Sequence, residues 1–142
     1  MQDNVKKAPF KSYFGEEMVS LRVNSYYYGN GLHIGLTSYS EYGPEPFADM
    51  TVNLKGYSLR PNEAFINGDG SDKFLQFIKE NKLGIVFPYK YSSGYGSYAK
   101  VSFDLDRLQE FDPVGVAEFK EKHHIPEKKE TVKKSRRREP ER

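Results

Sequence analysis

A chain of 142 residues has room for one domain, and with 37% apolar and 15% aromatic residues it is too hydrophobic for a disordered protein. The absence of cysteine excludes disulfides, thiolate metal ligands and cysteine nucleophiles. No apolar run approaches the roughly 20 residues of a membrane-spanning helix, and no apolar segment follows the first basic residues as in a secretory signal. These features predict a soluble, cytoplasmic, single-domain protein.

The net charge of +2 is unevenly distributed along the chain. Residues 127–142 contain eight Lys/Arg and four Glu, so the basic charge is concentrated there and residues 1–126 are mildly acidic. A domain that binds nucleic acid through its folded surface is typically basic throughout. The charge distribution therefore argues against a nucleic-acid-binding fold in the main part of the chain.

The first clear pattern is a hairpin around the Asn-Gly pair at 30–31. In residues 18–28 and 32–38 apolar and polar side chains alternate, so each segment has one apolar strand face. Asn-Gly favours a two-residue type I′ turn, because both central residues of that turn take positive φ. This turn would pair Tyr27 with Ile34 on the inner face and place Tyr27 in the core. On the outer face it would pair Tyr28 with His33, Tyr26 with Gly35, and Arg22 with Tyr39.

Four further strands are predicted after a loop that contains proline and glycine. Alternating apolar residues predict a strand at 50–54, and EAFI at 63–66 predicts a short one. Two more strands flank a Ser/Gly/Tyr loop at 92–97, and the second of them runs to Leu105. Pro88 indicates that the first of this pair is an edge strand or is interrupted.

Two helices are predicted in the second half of the chain. Residues 72–82 carry an apolar stripe at helical spacing, with Ser71 or Asp69 as a suitable N-cap and Gly84 as a suitable stop. Residues 113–123 are compatible with a short last helix, because a proline stands at the first helical position.

These elements predict an α+β fold. Its core would be an antiparallel β-meander of five or six strands, with the helix at about 72–82 packed on one face. Residues 1–17 are interpreted as an N-terminal extension and residues 18–123 as the single domain. Residues 124–142 are interpreted as a charged tail, expected to be disordered because it lacks apolar periodicity.

No motif in the sequence predicts a catalytic residue, a metal site or a cofactor. NGDGSD at 67–72 resembles the start of a calcium-binding loop but lacks the required glycine and acidic residue further on, so a turn and helix cap explain it better. The glycines at 92–98 form no phosphate-binding motif, and the three histidines show no triad or metal-ligand spacing. Asp104 and Asp106, predicted on one strand face, leave open a glycosidase-like pair, because sequence does not give distances.

The basic C-terminal segment offers a nucleic-acid hypothesis. Clustered Lys and Arg can neutralise phosphates and give salt-dependent binding without sequence preference. Interspersed glutamates weaken this charge, and no aromatic residue is present there to stack on bases. The segment is therefore either an accessory electrostatic arm or a solvated end. The candidate nucleic-acid contacts are Lys128, Lys129, Lys133, Lys134, Arg136, Arg137 and Arg138.

Several short segments, spread over residues 18–110, carry a family resemblance. They are NGLHIGL at 30–36, PFADMTVNL at 46–54, NEAFIN at 62–67, NKLGI at 81–85 and GYGSYAKVSFDLDRL at 94–108. Their order resembles an uncharacterised small domain family of phages, plasmids and conjugative elements of Gram-positive bacteria. The resemblance implies a genomic setting and brings no catalytic residues.

The leading functional hypothesis combines this setting with the aromatic composition. Small proteins of mobile elements that lack catalytic motifs often bind and block a host protein. We therefore expect a non-enzymatic protein-binding module, whose partner is a host or defence protein such as a CRISPR nuclease or a restriction enzyme. Tyrosine gives large contact area at low entropic cost. The candidate contact residues are Tyr26, Tyr28, His33 and Tyr39 on the hairpin, and Tyr91, Tyr95 and Tyr98 at the later loop.

Overall fold

The computed structural model describes residues 5–28, 31–94 and 96–125, which form two antiparallel four-stranded sheets and three helices. The first sheet has the order β1-β2-β3-β4 and the second the order β5-β6-β8-β7. The strands are β1 (Ala8–Ser12), β2 (Gly15–Ser25), β3 (Leu32–Ser40), β4 (Gly43–Asp49), β5 (Thr51–Val52), β6 (Glu63–Ile66), β7 (Gly84–Ser93) and β8 (Gly96–Phe103). The helices are α1 (Ser71–Glu80), α2 (Leu105–Phe111) and α3 (Pro113–Lys122). The predicted α+β class is confirmed, with two sheets in place of one meander.

The predicted apolar faces of β2 and β3 are confirmed, but their predicted register is wrong. Val23 pairs with Ile34 and Ser25 with Leu32, whereas the type I′ turn would have paired Val23 with Ser38. The ladder stops at Ser25, and the N–H of Tyr26 donates to the carbonyl of Gly31 at 2.8 Å. Because the pairing is displaced by four residues, an even number, the same side chains still face the core.

The displaced register moves three tyrosines out of the sheet. Tyr27, predicted in the core, is 88% exposed, and Tyr28 is 78% exposed instead of lying beside His33. Tyr26 leaves the ladder as well, so its predicted position opposite Gly35 is wrong; Arg22 pairs with Gly35. The turn chemistry and the two apolar patterns agreed on the predicted register. Alternation, however, specifies only which face of a strand is buried, so it also fits a register displaced by an even number of residues.

Residues 8–17, assigned by sequence to an N-terminal extension, are part of the first sheet. β1 pairs with β2 from Ala8 opposite Val19 to Ser12 opposite Gly15. The ring of Phe10 is buried, with centroids 5.6 Å from those of three other phenylalanines. These partners are Phe47, Phe74 and Phe77. The N-terminal strand therefore contributes directly to the core.

One stretch of chain joins the two sheets. β4 occupies the segment predicted as a Pro/Gly-containing loop and pairs with β3 across a bulge between Leu36 and Thr37. At Met50 the chain passes from the first sheet to the second, since its N–H donates to Ile34 O and its carbonyl accepts the N–H of Asn67. The predicted strand at 50–54 is reduced to the two residues of β5.

The second sheet contains the predicted EAFI strand as β6. β7 is its edge strand, and the ladder with β8 is irregular between Val86 and Lys90, the interval that contains Pro88. The prediction from Pro88 is therefore confirmed on both counts.

The sequence predicted the apolar stripe of α1 and the start of α3 correctly, but not the two caps of α1. Phe74, Phe77 and Ile78 of α1 are buried as predicted. The predicted N-caps, Ser71 and Asp69, and the predicted stop at Gly84 are wrong. The N-cap is Gly70, which has no side chain to bond, and the C-cap is Asn81. α3 begins at Pro113 as predicted, and its N-cap Asp112 accepts the N–H of Gly115.

α2 was not predicted and replaces the end of a predicted strand. The side chain of Asp104 caps α2 by accepting the N–H of Asp106 at 3.0 Å, so these carboxylates do not share a strand face. α2 and α3 pack on β2, and α1 packs on β1. One cluster of buried apolar residues includes side chains from both sheets and all three helices. In the described residues, no helix is long and apolar enough to span a membrane.

Candidate binding surfaces

Two hairpin turns of the first sheet have the same sequence pattern, serine–any residue–aromatic–glycine. They are Ser12–Gly15 between β1 and β2, and Ser40–Gly43 between β3 and β4. In each turn the serine Oγ accepts the N–H of the aromatic residue two positions later, at 3.1 Å. The closing glycines have φ of 133° and 101°, which other residues rarely adopt. The pattern therefore fixes an aromatic residue at the third position of both turns.

The two turns lie at the same end of the sheet. One turn precedes β2 and the other follows β3, so the antiparallel pairing of β2 with β3 brings both turns to one end. The aromatic residues of the turns point into solvent, with Phe14 98% and Tyr42 88% exposed. Such exposure of large apolar rings at one end of a sheet is a feature of interaction sites.

Acidic residues lie in and beside the same two turns. Residues 12–18 and 40–46 together contain four glutamates and no lysine or arginine. We call this region the turn surface. It consists of Tyr13, Phe14, Glu16, Glu17, Glu41, Tyr42 and Glu45.

Tyr13 is the member of the turn surface that is tied to the rest of the fold. Its hydroxyl donates to the Asp72 carboxylate, 2.7 Å from each oxygen, and the Lys73 ammonium lies 4.8 Å from the ring centroid. This hydrogen bond lowers the pKa of Asp72 and raises the pKa of Tyr13. The contact anchors the β1–β2 turn against the first turn of α1.

The hairpin residues proposed from sequence do not form one exposed row. Tyr26 is half-buried, its hydroxyl lies 2.9 Å from Thr51 Oγ1, and burial raises the pKa of the phenol. His33 Nε2 lies 3.0 Å from Asp49 Oδ1. Tyr39 shares a 2.7 Å hydrogen bond with Ser20, and a lysine ammonium lies 4.3 Å from its ring centroid. Of the four predicted residues, Tyr28 is the one left largely exposed.

Two of the tyrosines proposed at the β7–β8 hairpin, Tyr91 and Tyr98, lie on the outer face of the second sheet. Tyr91 pairs across the strands with Tyr98, and its ring packs on Phe65 with centroids 5.5 Å apart. The ammonium of Lys100 lies 4.9 Å from the Tyr91 centroid and 4.3 Å from that of Phe87. These contacts give Tyr91 a packing role. Tyr95 lies outside the described residues.

Among the described residues, no group of three or more histidine, aspartate or glutamate side chains could hold a metal ion. The segment at 67–72 forms a turn, in which Asn67 Oδ1 accepts the N–H of Asp69 and Nδ2 donates to Asp49 O. The basic residues of the nucleic-acid hypothesis, at 128–138, lie outside the described residues.

Sequence reasoning missed the turn surface, although its signal was present. The patterns SYFG and SEYG are both readable in the sequence. The two turns come to the same end of the sheet through the pairing of β2 with β3, which the structure was needed to show.

Residues 20–123 match the model of a protein family described as a domain of unknown function (DUF4313). The turn at 40–43 lies within the match, while β1 and the turn at 12–15 precede it. No curated protein and no solved structure matches the chain.

Proposed function

The chain belongs to the DUF4313 family, and we propose that it is a non-enzymatic protein-binding module that contacts its partner through the turn surface. The supporting observation is the exposure of Phe14 and Tyr42 on two serine-stabilised turns at the same end of the first sheet. Aromatic rings are enriched in the energetically dominant parts of protein interfaces. Because both turns are short and hydrogen-bonded, little conformational entropy is lost when they bind.

The edges of the sheets favour binding through side chains over strand addition. Each edge strand longer than two residues contains proline, which lacks the N–H needed to pair with an added strand. These prolines are Pro9 in β1, Pro44 and Pro46 in β4, and Pro88 in β7. A partner would therefore contact the protruding rings and the glutamates beside them.

The charge of the turn surface indicates the chemistry of the partner. Its glutamates would pair with lysine or arginine, and its rings can accept cation–π contacts from the same residues. A basic surface is typical of proteins that bind nucleic acid. Together with the mobile-element setting implied by the resemblance, this makes a DNA-binding defence enzyme, such as a restriction or CRISPR nuclease, the first partner to test.

Photo-crosslinking in host cells tests the proposal. The full chain is produced with p-benzoylphenylalanine in place of Phe14, Tyr42 or, as the control, Tyr27, which is equally exposed at the opposite end of the sheet. We expect one basic protein to be crosslinked from positions 14 and 42 and not from position 27. The purified complex should then weaken with added salt and with Glu16→Gln/Glu17→Gln. Equal crosslinking from position 27 would contradict the proposal.

A further inference from the structure

A cavity of about 840 Å³ opens at the other end of the first sheet. Its walls come from three parts of the chain: the segment between β5 and β6, the β2–β3 connection with Tyr28, and His123 after α3. The volume lies within the roughly 300–1,000 Å³ typical of small-molecule sites. The cavity shares no residue with the turn surface.

The aromatic walls are held by contacts within the fold. Tyr57 packs on Phe65 and Tyr91, with ring centroids 5.1 and 5.7 Å away, and its hydroxyl donates to the carbonyl of Ser92. On the other side, the side-chain amide of Asn53 donates to the carbonyl of Tyr28 at 3.1 Å. These bonds tie the two loops to the rest of the molecule, so the cavity is largely formed before any ligand binds.

The charge of the cavity is positive. Lys55 and Arg60 line it, and the side chains of both contact no carboxylate in the described part of the chain. The one acidic lining residue, Glu63, is already occupied, since its carboxylate lies 3.8 Å from the Lys100 ammonium and accepts the Arg60 N–H at 3.0 Å. In the described part of the chain, these two cations therefore have no carboxylate partner, and they line the cavity together with Tyr28 and Tyr57.

We propose that this cavity binds a nucleotide unit, with its planar base against Tyr28 and Tyr57 and its phosphate between Lys55 and Arg60. Stacking of a base on an aromatic side chain, combined with lysine or arginine contacts to phosphate, is the recurrent chemistry of sites that bind unpaired nucleotides. The ligand is either a free mononucleotide or one nucleotide of a single strand, because both present the same base and phosphate. This site is independent of the proposed protein partner.

Titration of the full chain with two probes tests the assignment. AMP and, separately, fluorescein-labelled hexathymidylate are added, and binding is followed by amide NMR shifts and by anisotropy. We expect saturable binding, with shifts at the lining residues Gly31, Asn53 and Gly56. Binding of AMP would identify a mononucleotide site, whereas binding of the oligonucleotide alone would identify a single-strand site.

Matched variants separate the cavity from other basic residues. Lys55→Gln/Arg60→Gln and Tyr28→Ser should each weaken binding about 5-fold or more, on the basis of measured stacking and phosphate contributions. The controls Lys90→Gln and Tyr89→Ser alter exposed residues outside the cavity and should leave affinity unchanged. The proposal is overturned if neither probe saturates, if the shifts lie elsewhere, or if variants and controls weaken binding alike. The altered side chains are exposed, so all variants should fold.

Discussion

The two ends of the first sheet place their aromatic side chains differently. At the turn end, short serine-stabilised turns project Phe14 and Tyr42 into solvent among glutamates. At the loop end, Tyr26 turns inward to Thr51, while Tyr28 borders a cavity that Lys55 and Arg60 also line. One end is therefore suited to a basic macromolecular surface and the other to a small anionic ligand. The row of three tyrosines in the sequence did not predict which rings are exposed. The exposure of each ring depends on the turn or loop in which it lies.

The largest expected effect is a difference in unfolding free energy between variants at the two ends of the first sheet. Thr51 is buried, and its hydroxyl bonds both the N–H of Ile34, at 3.2 Å, and the Tyr26 phenol. Thr51→Val keeps the shape but leaves a buried N–H without a partner, so it should lower the free energy of unfolding by about 1–3 kcal/mol. The exposed Ser40→Ala should cost less than about 0.5 kcal/mol. Urea unfolding measures both; equal losses would show that the ends are held alike.

A smaller effect is expected from the closing glycines of the turns. Gly43→Ala and Gly15→Ala force a side chain into positive φ, although each site has open space around it. We expect each to lower unfolding free energy by about 1–2 kcal/mol. Gly35→Ala is the control, because Gly35 is a strand residue whose added Cβ would make only ordinary contacts. A stability loss for Gly35→Ala as large as for Gly43→Ala would argue against backbone conformation as the cause.

Removal of the exposed rings should barely change stability. Phe14→Ser/Tyr42→Ser, and at the other end Tyr28→Ser, should stay within about 0.5 kcal/mol of the wild-type unfolding free energy. Denaturant curves of purified variants check this. A loss of several times that size would mean that the rings serve the fold and would weaken their assignment as contact residues.

The smallest effect concerns pH at the turn end. The hydrogen bond from Tyr13 holds the pKa of Asp72 below its ordinary value of 3.8, so the folded state binds this proton less readily than the unfolded chain. The stabilisation is present above that value and is lost as pH falls through the lower folded pKa. Tyr13→Phe should move the Asp72 pKa back up in an NMR titration, while Tyr42→Phe should not. An unchanged pKa in Tyr13→Phe would assign the shift to another group.

The sequence predicted those features that depend on local periodicity. The buried faces of β2 and β3, the apolar stripe of α1 and the start of α3 all follow from the spacing of apolar residues. β4 was missed because its prolines suggested a loop, although an edge strand tolerates proline. α2 was missed because its capping residue, Asp104, continued the alternation of the preceding strand.

The candidate surfaces were less predictable than the fold. The Asn-Gly pair at 30–31 favours a tight turn, but the bond between Tyr26 and Thr51 comes from a distant segment and competes with it. The antiparallel pairing of β2 with β3 brings the turns of Phe14 and Tyr42 to the same end of the sheet, which local sequence does not encode. The cavity could not be predicted either, because its walls come from three separate segments that the fold brings together.

The attachment of β1 has a consequence for the association state of the protein. β2 is eleven residues long and contains no proline, so β1 covers an edge that could otherwise pair with another chain. Side-chain contacts around β1 include Lys6 with Glu110 and Lys11 with Glu80, both exposed and therefore weakened by salt. If β1 detached together with the buried ring of Phe10, the vacant edge of one molecule would accept β1 of another. The short turn after β1 would then act as the hinge of a reciprocal strand exchange, producing a domain-swapped dimer.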